Sequence, residues 1–441
     1  MSYSNKKWYK PTKLGTKLGI IALILLFIRI ISNIPVPMIN RDYLSFISNL
    51  GDQFIILNAF SGGAFRKMSF MTLGITPFIT ASIILQLLEV TFPKISEIKK
   101  GDTGQKRMLY IEIALSIVLS ITQSIGLAMS LGKQGMLTSY TFQSVALITL
   151  LWTIGSTIMV LAGEYISKFC IGNGVSIILA FNIIADIPND FYNFYTIYIK
   201  EQPIPKIILA IGILVLVIGF LVVATVILNN AHKEIPLVYP TNGENNSRKS
   251  MSSLPIKLNT AGVIPVIFAS TIFAIPALFN NKVANFLQTF CSSTYWFNAQ
   301  YWYRTIGFVV YFGLVVLFAY FYTAMMFKPM EIATRLKKRG ACIPGIRPGQ
   351  PTVDYLRNKV RWMTLIGACF LFILTQIPMF ITHFSSIGTL SFGGTSIIII
   401  VGVVQETIEV IKSENLSKVY QNSFTRRSKS YGKIKKRIQA N

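Results

Sequence analysis

Ten long apolar stretches constrain this chain more than any other feature. They lie near 18–34, 69–90, 108–130, 141–163, 173–187, 204–229, 259–279, 303–327, 361–382 and 389–411. A helix needs about 20 residues to cross about 30 Å of hydrocarbon. In lipid every backbone N–H and C=O must be satisfied within the chain, so such spans have to be helices. Charged residues make up only 13% of the 441, against about 25% in soluble domains. The expected fold is an all-α integral membrane protein with ten transmembrane helices, the fifth span being the shortest. The first run follows Lys6, Lys7, Lys10, Lys13 and Lys17, as a signal peptide would. It continues into Ile34-Pro35-Val36-Pro37 with no small-residue cleavage site, and reads as a retained span.

Charge sets the orientation. Of 42 Lys and Arg, eight (Arg41, Arg66, Lys67, Lys133, Lys200, Lys206, Lys282 and Arg304) fall on one side, and Arg29 falls within the first span. The other 33 lie in segments 1–17, 91–107, 164–172, 230–258, 328–361 and the tail after 411. Basic loops stay inside, so both termini are expected in the cytoplasm, with 1–17 and 412–441 as basic tails. Part of the +25 net charge anchors loops to anionic lipid; part is available to an acidic or nucleic-acid partner.

Little points to enzyme chemistry. Cys170, Cys291, Cys342 and Cys369 form no C-x-x-C pair, and His232 and His383 are too few for a His-rich metal or haem site. There is no G-x-x-x-x-G-K-[ST] phosphate loop. No catalytic residue, metal or cofactor is expected.

Ten spans divide into two sets of five, 18–190 and 204–411. An odd number per set gives the halves opposite orientation, the inverted-repeat arrangement. Span two contains Gly74-Ile75-Thr76-Pro77-Phe78-Ile79 and span seven Gly262-Val263-Ile264-Pro265-Val266-Ile267. Both read G-x-x-P-x-I, and each span is expected to kink at its proline, Pro77 or Pro265. Matched interruptions of this kind point to a working centre between the halves. The intramembrane charges Arg29, Glu89, Glu112, Glu406 and Glu409 each lie near a span end. Ile75 and Ile79 share one helical face. The centre therefore reads as an apolar constriction, not a ring of charges, and such a constriction can gate water and ions by dewetting. A pump or secondary transporter would instead carry a charged midplane site. The segment from Phe54 to Lys67 is too short and polar to span. It is either an external loop or a piece buried at membrane depth.

At this point the residues resemble the SecY family, the channel subunits of the bacterial-type Sec protein translocon. The resemblance runs from Lys17 to about Tyr420 in six ordered blocks: 60–64, 73–84, 171–178, 259–270, 343–349 and 392–396. It implies an hourglass channel, two inverted five-helix halves around a central pore, that passes unfolded secretory polypeptides and releases apolar helices sideways into lipid. It implies a pore ring of Ile75, Ile79, Ile178, Ile267 and Ile399. It implies a plug over about 54–67, centred on Phe60, Ser61, Gly62, Gly63, Ala64, Phe65 and Arg66. Spans two, three, seven and eight would form a lateral gate, with Thr80, Gln86 and Asn259 among its polar residues. Arg347 matches a residue needed to engage a motor, and Lys338, Arg339 and Arg357 share its basic loop. The implied partners are SecE-type and SecG-type small membrane subunits, a SecA-type motor ATPase, the translating ribosome, unfolded substrates and their signal sequences. The implied location is a bacterial plasma membrane, with a plastid thylakoid as the alternative.

The chemistry fits independently. Packed Ile side chains make weak, non-directional contacts and yield around any passing chain. A lateral seam lets a segment of about 20 apolar residues partition into lipid, gaining up to about 0.8 kcal/mol per buried CH2. One departure concerns the loop from Tyr239 to Lys249, which is Asn-rich where the family is more basic. The competing functions are a secondary transporter, a membrane scaffold and an accessory secretion channel for special substrates.

Overall fold

The computed structural model describes residues 14–40, 52–92, 95, 98, 101–133, 135–199, 203–238, 252–274, 305–384 and 395–414. The two basic tails lie largely outside these residues, as do the loop tip at 239–249 and the Phe392-Gly393-Gly394 block.

The helices are α1 (Leu14–Ser32), α2 (Asp52–Ser61), α3 (Thr76–Thr91), α4 (Asp102–Lys133), α5 (Phe142–Phe169), α6 (Gly174–Tyr198) and α7 (Ile204–Asn230). They continue with α8 (Ile264–Ala274), α9 (Thr305–Met326), α10 (Pro329–Lys338), α11 (Gln350–Phe384) and α12, over 395–414. Among the described residues seven helical stretches are long and apolar enough to cross a membrane. The shorter apolar helices α3 and α8, together with α12, account for the remaining segments. The protein is thus a multi-pass membrane protein. Leu23, Leu216, Ile208 and Val309 turn outward, as lipid-facing side chains must.

Several boundaries differ from those expected of the sequence. The fifth span is not short: α6 runs 25 residues, past position 190, with Pro188 inside it. More consequential is the fate of the two prolines. Neither kinks a helix. Pro77 stands in the first turn of α3 and Pro265 is the second residue of α8. There the missing N–H would have had no partner anyway, and the fixed φ suits the start of a helix. The two helix starts match in detail. Gly74 (φ +57°) and Gly262 (φ +63°) each take a left-handed conformation two residues before the helix. Phe78 N and Ile79 N both donate to Ile75 O, at 3.1 and 3.2 Å, while Val266 N and Ile267 N both donate to Val263 O, at 3.1 and 3.3 Å. The G-x-x-P-x-I echo is therefore a shared backbone device that starts a helix in each half.

Loop 230–258 holds an unanticipated hairpin. Strands β1 (His232–Leu237) and β2 (Ser252–Lys257) pair antiparallel, His232 opposite Lys257. Val238 extends the pairing to Cys342. Ile235, Leu237 and Ile256 pack with Leu336, Ala341, Ile343, Leu356 and Val360 in a core of their own. The 328–361 loop is thus folded around the hairpin by α10 and the first turns of α11. The main apolar core lies between the halves and draws on α1, α2, α3, α5, α6, α7, α8, α9, α11 and α12.

Candidate functional site

The backbone from Gly62 to Ile75 makes successive turns and is nearly all buried. Together with α2 it is wedged against α6 and α8. A turned segment survives at membrane depth only if its polar groups are satisfied, and here they are. Asn58 Oδ1 accepts from Arg66 N at 3.0 Å, and Ser61 Oγ accepts from Phe65 N at 3.0 Å. Asn58 Nδ2 donates to Asp186 Oδ2 at 2.6 Å, and Asn182 Nδ2 donates to Phe60 O at 2.9 Å. Arg29, inside α1, donates to Gly62 O at 2.6 Å and to Ala185 O at 3.1 Å. Asn189 Nδ2 completes the set by donating to Asp186 Oδ1 at 2.9 Å.

Deeper between the halves, Ile75, Ile79, Ile178 and Ile399 are buried in one apolar cluster, and Ile267 is partly buried against it. These residues come from the start of α3, from α6, from α12 and from α8. Phe60 and Ala64 belong to the same cluster, so the α2–turn segment sits directly on it.

The polar residues expected along a lateral seam each bond within their own half. Helices α3 and α8 are in contact, α3 also packs on α4, and α8 on α9. Thr80 Oγ1 bonds to Thr76 O at 3.0 Å and Gln86 Nε2 to Ser82 Oγ at 3.0 Å, both within α3. Asn259 instead donates to Asn229 Oδ1 at 3.0 Å, and Asn229 donates on to Gln405 Oε1 at 2.7 Å. That chain ties the approach to α8 to α7 and α12, within its own half. Lys257, at the end of β2, pairs with Glu409 of α12 at 2.7 Å. Asn259, Asn229, Gln405, Lys257 and Glu409 line a cavity of about 290 Å³ that reaches Ile267 and Ile399.

Arg347, Lys338 and Arg339 are all exposed. The Arg347 carbonyl accepts from Thr352 Oγ1 at 2.9 Å, between Gly345 (φ +77°) and Gly349 (φ +119°). Both glycines sit in the left-handed region, so the turn that displays Arg347 is shaped by residues without Cβ. Arg357 is exposed and lies 3.4 Å from Asp354. Asn182, Asp186, Asn229 and Gln405 went unnoticed in the sequence. Asp186 offered the one available signal, a carboxylate inside an apolar span.

Comparison with known proteins adds the lineage. The SecY family model matches residues 69–408. The Protein translocase subunit SecY of Halalkalibacterium halodurans is 34% identical over 409 residues, covering 90% of this chain and 94% of that one. Its counterpart in Staphylococcus carnosus is 31% identical over 427 residues, covering 94% and 97%. Among solved structures, a protein-conducting channel superposes with a TM-score of 0.68 at 21% identity, covering 94% of this chain and 96% of that one. Sec61 from a canine ribosome–channel complex superposes with a TM-score of 0.63 at 20% identity, with the same coverage. The family match over most of the chain and the near-full-length relatives lead to one conclusion: the chain belongs to the SecY family of protein translocase subunits.

Proposed function

We propose that this chain conducts unfolded polypeptides across the membrane through the cluster formed by Ile75, Ile79, Ile178, Ile267 and Ile399. The observation that carries this reading is that five isoleucines from four elements of both halves meet in one apolar cluster, with Phe60 and Ala64 packed onto it. Such a ring excludes water and ions when empty, and it offers a passing chain no fixed hydrogen-bond partner. The segment from Phe60 to Arg66 is the plug that covers it. The contact of α3 with α8 is the lateral gate, bounded by α4 and α9. Thr80 and Gln86 are its polar residues on α3, and Asn259 lies at the approach to α8. A chain apolar enough to leave sideways does so by partition, with no bond chemistry.

The face bearing β1–β2 and 328–361 is cytoplasmic, as are both termini, in a bacterial plasma membrane. Arg347, Lys338, Arg339 and Arg357 offer a cationic surface to a SecA-type motor ATPase or to ribosomal RNA of a translating ribosome. Family membership and a Sec61 structural neighbour found in a ribosome–channel complex favour such docking. SecE-type and SecG-type subunits complete the complex.

The test is to stall a secretory chain in membranes containing this protein with a photoreactive residue at position 79. Signal-sequence-dependent crosslinks are expected. No crosslink, with the protein folded and its small subunits present, would remove the pore assignment.

A further inference from the structure

The plug segment is held by more than apolar packing. We infer that Arg29, Asn182 and Asp186 form a polar latch that keeps the resting channel closed, a reading that rests on the channel assignment above. Three features lead to it. The first is position: a guanidinium and a carboxylate within apolar spans are costly unless used, and both contact one short segment. Arg29 reaches Gly62 O, Asp186 reaches Asn58, and Asn182 reaches Phe60 O. The second is burial. Asn58, Ser61, Asn182 and Asp186 are each at most 6% exposed, so these bonds form away from competing water. The third is preparation of the seat. Arg29 also donates to Ala185 O at 3.1 Å, one residue before Asp186, so it ties the segment to the same turn of α6. Gly62 and Gly63 lie so close to α6 that a Cβ on Gly63 would come within 2.9 Å of Asp186 Oδ1.

A buried network of linked hydrogen bonds behaves as a unit, because breaking one bond in a dry site leaves its partners unpaired. The latch therefore resists partial displacement of the plug. It releases only when water can replace its bonds, which happens when a polypeptide and its hydration enter the pore. Apolar packing alone would let the plug slide, since such contacts have no direction.

The experiment compares resting ion current through the full chain, with its small subunits, in planar bilayers without substrate. Replacing Asn182 and Asp186 together by Leu is expected to raise the resting current about tenfold or more, the effect of losing a charged hydrogen bond from a closed state. Asp186→Asn keeps an acceptor for Asn58 and should fall between this variant and the parent. If the double variant does not accumulate, Arg29→Lys, which retains the charge but loses the two-carbonyl fork, must still leak above the parent. Ile79→Gly with Ile267→Gly serves as the reference. Parental current in the latch variants while the reference leaks overturns the latch and leaves the channel standing. A folded reference that is silent overturns the channel reading itself.

Discussion

Gly74 and Gly262 occupy the same left-handed turn in the two halves of the molecule, at φ +57° and +63°. Their surroundings differ. A Cβ on Gly74 would lie 3.1 Å from Ser61 Cα and 3.2 Å from Phe60 O, whereas one on Gly262 would meet nothing within 4 Å. Gly262→Ala should therefore cost only the left-handed penalty, about 1–2 kcal/mol. Gly74→Ala should cost more and disturb the turn at Phe60 and Ser61 as well. Thermal melting of both variants in detergent, with resting conductance alongside, checks this. Equal melting temperatures would refute the asymmetry.

The isoleucine ring predicts a second outcome. Ile79 sits in the buried cluster and Ile267 against it, one from each half. Replacing both by Gly opens space that water can fill, so resting ion leakage should rise well above that of either single variant. Planar-bilayer recording measures it. A double variant as tight as the parent would argue that the constriction lies elsewhere.

Close packing gives a third. A Cβ on Gly155 would overlap the carbonyl oxygen of Phe70, in the turned segment, while Gly212 of α7 has nothing within 4 Å. Gly155→Ala should destabilise by about 1–3 kcal/mol through overpacking. Gly212→Ala should be neutral or stabilise by up to about 1 kcal/mol through helix propensity. Chemical denaturation of the two variants in matched detergent separates them.

The hairpin face allows docking and folding to be distinguished. Leu356 is fully buried in its small core, and Leu356→Ala should cost about 2–5 kcal/mol locally, read as faster proteolysis of 328–361. Arg347 is exposed on its turn. Arg347→Ala should leave melting and proteolysis unchanged while abolishing motor-driven translocation in proteoliposomes. A translocating Arg347→Ala variant would detach the motor from this turn.

Ten apolar stretches and the asymmetry of 42 basic residues were enough to fix a helical membrane protein and an expected orientation, because length and transfer energy act on each segment alone. The echo of Gly74–Ile79 in Gly262–Ile267 was legible for the same reason, being a local pattern. Whether Pro77 and Pro265 bend a helix or begin one was not. That choice depends on the left-handed glycines and on what the turned segment packs against. The hairpin escaped because Pro236 and Pro255 weaken any strand signal, and its residues reveal their inward face only against Leu336 and Leu356. The polar contacts of Arg29 and Asp186 lay furthest from view. Arg29 meets Ala185 across 156 positions, and Asn58 meets Asp186 across 128. Sequence alone shows a lone charge in an apolar span and its cost. Only the tertiary structure supplies the partner, because a buried polar group is satisfied by whatever the fold brings within hydrogen-bond reach.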